Sequence, residues 1–370
     1  MGDNVKIIDK RIDNFIMKYP LERLCALHEA LFLDIETTGF TARSSFLYLI
    51  GCAYYDDVNW HTIQWMAENP SEQKEILDAF FDFAKDRRFL IQFNGNQFDI
   101  PYLTQKCAQL ELSYTFEGFD GADLFRRLFP YKSFLSLMNL KQKTIETFLS
   151  LDREDVFTGG ELVAFYQDYI KHPTQETLNV LLLHNEEDLK GMLEIMPMLS
   201  YFDAFHYPLT AKRVQANTYR DANGNRKMEL MIHAGLPSPV PVSVTRSTDG
   251  YYAKLLGEEL LLRVPVYEEE MKYFYSNYKD YYYLPEEDCA LHRSVASFVD
   301  KDHREPATAR NCYTRKFSAY LQEWDTSFTP FFKRDYDSPE LFFELTDELK
   351  QDRNAFAAYA SLVLRHIAKP

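Results

Sequence analysis

Between residues 30 and 66 apolar and polar positions form three short runs, 30–36, 46–55 and 62–66, separated by polar turns, as expected of an antiparallel meander of strands. The period then changes. Ile76, Leu77, Phe80, Phe81 and Ala84 recur at helical spacing, with Ser71 as an available cap and Glu72 in the first turn. Residues 89–93 read as a further strand ending at Asn94-Gly95, and helical patterns follow near 101–110, 137–149, 161–170 and 177–199. This alternation predicts an α/β domain with a mixed sheet flanked by helices. Near 200–208 the helical pattern stops. Residues 212–266 offer strand candidates broken by Asp221 to Asn225, by the proline-rich 236–241 and by Ser247-Thr248-Asp249-Gly250, so a β-rich unit is expected there. From Glu268 onward the pattern reads as mostly helical, giving a C-terminal region that is β-rich and then helical.

A chain of 370 residues suggests two domains at roughly 150 residues each. No window approaches the ~18 consecutive apolar residues of a spanning helix, so no membrane association is expected. The first thirty residues mix acids and bases without an apolar core, which argues against an export signal. Five cysteines, an odd number without a C-x-x-C pair, argue against a disulfide framework or zinc cluster and for a reducing, cytoplasmic location. Charge changes the picture most. Residues 1–200 hold 19 Lys+Arg and 31 Asp+Glu, a net of −12, whereas the remainder is only −3. An acidic half repels a polyanion unless divalent ions lie between them, so a nucleic-acid ligand here would require metal.

Three local patterns carry chemistry. Leu31-Phe32-Leu33 runs into Asp34-Ile35-Glu36-Thr37-Thr38-Gly39, placing two carboxylates at i and i+2 on one face of a buried strand end. Hard oxygen ligands crowded in this way favour Mg²⁺ or Mn²⁺. Strand 89–93 leads through Asn94 to Phe98-Asp99, with Asp99 at a helix start, where it can also act as a simple N-cap. His184-Asn185-Glu186-Glu187-Asp188 lies in an amphipathic helix with His184 and Asp188 on one side, and Gly191 one turn beyond leaves room for a ligand.

Together these motifs resemble the DEDD superfamily of 3′-to-5′ exonucleases on a ribonuclease H-like fold, most closely its YprB-like branch. Asp34/Glu36, Asn94/Phe98/Asp99 and His184/Asn185/Asp188 match that pattern in order, over about residues 28–200, and Asp123 to Phe125 and Asp155 to Glu161 look like the family's middle segment. His184 precedes Asp188 by four residues, the spacing of tyrosine-type members. The resemblance implies phosphodiester hydrolysis with two Mg²⁺ or Mn²⁺ ions roughly 3.5–4 Å apart. It implies that Asp34 bridges both ions, that Glu36 and Asp188 complete one site and Asp99 the other, and that His184 is the base. Thr37, Thr38, Asn94 and Asn185 would contact substrate, DNA or RNA. Residues 210–370 form the expected accessory domain, where six bases between Arg293 and Lys316, with Tyr281 to Tyr283, are candidates to track a phosphate backbone. The alternative is a non-cleaving nucleic-acid-binding or scaffold protein with the same domain.

Overall fold

The computed structural model describes residues 5–155 and 157–369 and contains two compact units. The first, Met1–Asp203 with Val240–Val242, is built on a six-stranded sheet. Its strands are β1 (Lys6–Arg11), β2 (Ala30–Thr37), β3 (Leu47–Tyr55), β4 (Trp60–Met66), β5 (Phe89–Gln92) and β6 (Asp120–Asp123), in the order β1-β4-β3-β2-β5-β6. Each neighbouring pair among the first four is antiparallel, and β5 and β6 continue parallel to β2. This is the mixed sheet that the order of elements led us to expect.

The period of β2 divides the core. Leu31, Leu33 and Ile35 face a cluster with Ile76, Leu77 and Phe80 of α1 (Gln73–Ala84) and Leu103 of α2 (Asp99–Gln109). Each fully buried side chain of this kind contributes about 1.5–3 kcal/mol. On the opposite face Leu49 and Met66 pack with Leu162 and Tyr166 of α5 (Gly159–Tyr169) and Leu181 and Leu182 of α6 (Gln175–Ile195). Asp34 and Glu36 point to this second face, beneath α6. Two short helices, α3 (Leu124–Leu128) and α4 (Gln142–Phe148), lie between, and α7 (Leu199–His206) follows α6.

Several sequence expectations are corrected. The helix expected over 137–149 is only α4, and that over 177–199 ends at Ile195, where Pro197 enters a 3-10 turn, Met196–Met198. Asn69 rather than Ser71 provides the side-chain cap before α1, accepting from the Ser71 N–H at 3.1 Å. Gly191 serves helix packing as well as lining a small cavity with Arg153 and Glu187. A Cβ there would lie 2.6 Å from the Gln142 amide nitrogen, so the glycine admits α4 against α6.

The second unit, Ala204–Pro239 with Ser243–Pro370, is dominated by strands. They are β7 (Thr210–Arg220), β8 (Arg226–Thr248), β9 (Tyr251–Phe274), β10 (Tyr281–Leu284), β11 (Cys289–His292), β12 (Glu305–Pro306), β13 (Tyr313–Glu323), β14 (Phe331–Phe332) and β15 (Leu341–Glu344), forming a six-stranded sheet β14-β15-β13-β9-β8-β7 and a small sheet β11-β10-β12. The β8–β9 turn, Asp249-Gly250, has positive φ at both residues, as a type I′ hairpin requires. Residues after Glu268 are therefore not mostly helical. Glu268, Glu269 and Glu270 belong to β9 and pair with Ala319, Ser318 and Phe317 of β13, and among the described residues α-helix is confined to α8 (Arg293–Ala296), α9 (Asp347–Gln351) and α10 (Arg353–Ile367), with 3-10 turns at Tyr278–Asp280 and Lys301–His303. The basic stretch 293–316 is largely engaged within the unit. Arg310 pairs with Asp337, Arg315 with Glu270 and Lys316 with Glu344, while Arg293 and Arg304 lie over the Tyr282 ring. No described helix is long and apolar enough to cross a membrane.

Candidate active site

The site is assembled on the row of the sheet where Asp34 (β2), Gly51 (β3) and Gln64 (β4) are paired neighbours. Asn185 of α6, fully buried, lies across this row. Its amide donates to Asp34 Oδ2 at 2.8 Å, and its Oδ1 accepts from Gln64 Nε2 at 2.9 Å. Gly51 makes this possible, because a Cβ there would lie 2.7 Å from Asn185 Cγ. Asn185 thus holds a carboxylate in place, with its amide nitrogen on Asp34 and its amide oxygen on Gln64. One row further, Glu36 is 8% exposed and accepts a long bond from Tyr48 Oη (3.5 Å), whose ring stacks on Tyr166. The pairing of β2 with β3 slips between Glu36 and Thr37, an irregularity of the kind that re-aims side chains beside active sites.

All five residues of His184–Asp188 are engaged. His184 Nδ1 lies 2.8 Å from Asp155 Oδ2, which directs Nε2 toward Glu36 (3.7 Å) and Asp188 (3.4 Å). Glu186 turns away to Lys10 and Lys190, and Glu187 accepts from the Glu154 and Asp155 N–H groups, tying that loop to α6. Asp188 is met at 2.8 Å by Arg153 of the same loop, and Arg153 also bonds both oxygens of Glu146. Asp155 and Arg153 were not assigned roles from sequence. The segment containing Asp155 stood out, but its partner lies 29 residues on; Val156 within it is outside the described residues.

Asp99 enters from the other side. It is 6% exposed and accepts from the Ile35 N–H at 3.2 Å, which ties it to the strand between Asp34 and Glu36. The turn before it is fixed by Asp123, whose carboxylate accepts from the Asn94 and Asn96 N–H groups and caps α3. Asn94 adopts φ 63°, so its backbone shapes this turn. Thr37 and Thr38 also serve local structure: Thr37 Oγ1 donates to the Gly39 carbonyl and Thr38 Oγ1 accepts from the Phe46 N–H. Phe40, 93% exposed beyond them, had not been singled out.

Crowding dominates the electrostatics. Burial, then Asp188, Glu36 and Asp99, push the Asp34 carboxyl well above the usual range, although Asn185 opposes this. Burial, then Asp188 and Asp99, do the same to Glu36. Burial raises Asp99 to about 7, despite the Ile35 N–H. Glu36, His184 and Asp188 each offer a ligand atom, all within 4.8 Å of one another. Hard oxygen donors plus an imidazole, crowded together, fit a divalent cation, with Arg153 now supplying the positive charge at Asp188.

Residues 31–200 match the model of a family described as the RNase H superfamily, and with the observed sheet this gives the first unit a ribonuclease H-like fold. No curated protein matches the chain in sequence. Among solved structures, a family B DNA polymerase from the hyperthermophilic archaeon Pyrobaculum calidifontis is similar over 68% of this chain and 35% of its own, at 12% identity and TM-score 0.38. The zinc-bound complex of E. coli ExoI with single-stranded DNA is similar over 57% of this chain and 55% of its own, at 11% identity and TM-score 0.28. The chain thus spans less than two thirds of the length of these structures.

Proposed function

We propose that the protein is a metal-dependent nuclease, a 3′-to-5′ exonuclease acting on single-stranded or frayed ends of DNA or RNA, with residues 28–200 as the catalytic domain and 210–370 as an accessory domain. The observation that carries this reading is the grouping of Glu36, His184 and Asp188, whose ligand atoms lie within 4.8 Å of one another, beside Asp34 and Asp99, whose charges act on the same carboxylates. Such crowding destabilises the protein alone and is relieved by cations.

Asp34 would be shared between two Mg²⁺ or Mn²⁺ ions, with Glu36 and Asp188 holding one and Asp99 the other. When bound, the ions neutralise the scissile phosphate and make water more acidic. The protein's own part is positional. Asn185 and Gln64 fix Asp34, and Asp155 fixes the His184 ring so that Nε2 faces the carboxylates, suited to take the proton of the attacking water. Phosphorus then gains the water oxygen and loses the 3′ oxygen of the preceding nucleotide, which takes a proton from solvent to become the new 3′ hydroxyl, releasing a nucleoside 5′-monophosphate. Exposed Phe40 offers a stacking face for the terminal base. The polarity is tested with one oligonucleotide labelled at either end. A 5′ label should give a descending ladder and a 3′ label immediate mononucleotide; the reverse assignment, or a single internal product, would overturn the exonuclease reading.

A further inference from the structure

Between Asp123 and Glu146 the chain carries five bases, Arg126, Arg127, Lys132, Lys141 and Lys143, and no acid, within a half whose net charge is −12. Two of these serve the fold, Lys143 pairing with Asp155 and Arg127 lying over the Phe202 ring. Arg126 is exposed. On the same short segment Phe125 sits 6.1 Å from the Phe93 ring and 5.9 Å from the ring of Phe129, which is 60% exposed. Sheet register gives this ladder its direction. β2 and β5 pair Phe32 with Ile91, so Phe93, two residues on, leaves the strand on the face that carries Asp34. Asp123 couples the ladder to the site, since one carboxylate caps α3 and holds the turn that delivers Asp99.

We propose that Phe93, Phe125 and Phe129, with Arg126, form a track on which single-stranded nucleic acid approaches the carboxylate cluster. The proposal rests on the nuclease reading and extends it to substrate binding away from the reacting phosphate. Aromatic faces select strands whose bases are unpaired, and they tolerate any sequence because every base has a π-face. An arginine beside them meets the phosphates, and it does so where the otherwise acidic unit carries no acid in the sequence. In the chain, Phe93 directly precedes Asn94 and the turn, held by Asp123, that delivers Asp99.

The test uses the full-length protein with Phe129→Ala and Arg126→Ala, both at exposed positions, so thermal unfolding should match wild type. Binding of a fluorescein-labelled oligothymidylate is measured by anisotropy in Ca²⁺ over a range of salt, and hydrolysis of thymidine 5′-monophosphate p-nitrophenyl ester, which is too short to reach the track, is measured in Mn²⁺. Phe129→Ala should weaken oligonucleotide binding about 5- to 100-fold. Arg126→Ala should flatten the salt dependence by about 0.7 in log–log slope. Ester hydrolysis should stay at the wild-type rate in both. Unchanged oligonucleotide affinity and salt slope would overturn the track, as would an equal loss on a blunt duplex. If wild type hydrolyses neither the ester nor the oligothymidylate when each is supplied with Mn²⁺, the nuclease reading fails while the binding measurement still decides the track.

Discussion

Replacing Asp99 by Asn tests whether the cluster is built for a cation without requiring any substrate. Burial raises this carboxyl from 3.8 to about 7. At about 1.4 kcal/mol per unit, ionising it in the folded protein costs roughly 4 kcal/mol. The sign follows from linkage: a carboxyl with a raised folded pKa binds its proton more tightly when folded. The penalty is therefore absent below about pH 4, grows between about pH 4 and 7, and is complete above that. Asparagine keeps an oxygen for the Ile35 N–H and carries no charge. In EDTA at pH 8 the Asp99→Asn variant should be more stable than wild type by up to about 4 kcal/mol, or roughly 10 °C in melting temperature for a domain of this size. The gap should close toward pH 4. Saturating Mn²⁺ should reverse the order, because wild type gains stability by mass action. Thermal unfolding followed by circular dichroism from pH 4 to 8 provides the measurement. A variant no more stable than wild type in EDTA at pH 8 would refute the reasoning.

Two further perturbations probe the supports of the site. Gly51→Ala should displace Asn185 and break its bonds to Asp34 and Gln64, costing about 1–3 kcal/mol in urea unfolding and weakening Mn²⁺ binding by calorimetry; a neutral substitution would show that this contact is dispensable. Asp155→Ala should free the His184 ring and lower the cleavage rate about 10- to 100-fold with little change in KM, whereas His184→Ala should cost about 10²- to 10⁴-fold. A full rate in His184→Ala would remove it as the base.

What could be read from the sequence was local. β2 and the helix of His184 announce themselves by their own periodicity, and their carboxylates followed directly. Edge strands did not. β1 is largely exposed and charged, and β6, Asp-Gly-Ala-Asp, has no strand-like composition; both exist through pairing with distant neighbours. Likewise Glu268 to Glu270 favour helix locally, but β9 is paired along β13, and Arg334 and Arg315 neutralise Glu269 and Glu270. Asp155, Arg153 and Gly51 contribute through contacts tens to more than a hundred residues away, so no spacing rule points to them. The bonds of Asn185 to Asp34 and Gln64 across the β2–β3–β4 row were likewise not legible from its place in a motif.

The central claim, that these carboxylates hold cations for phosphodiester hydrolysis, is tested most directly by cleavage of 5′-labelled DNA and RNA oligonucleotides by wild type and Asp34→Asn, each with Mg²⁺, Mn²⁺ or EDTA. We expect wild type to degrade at least one substrate with a divalent ion, to be silent in EDTA, and Asp34→Asn to be silent throughout while folded, because an amide cannot bridge two cations. Cleavage that persists in EDTA or in Asp34→Asn, or a wild type inert on both substrates with both metals, would contradict the account.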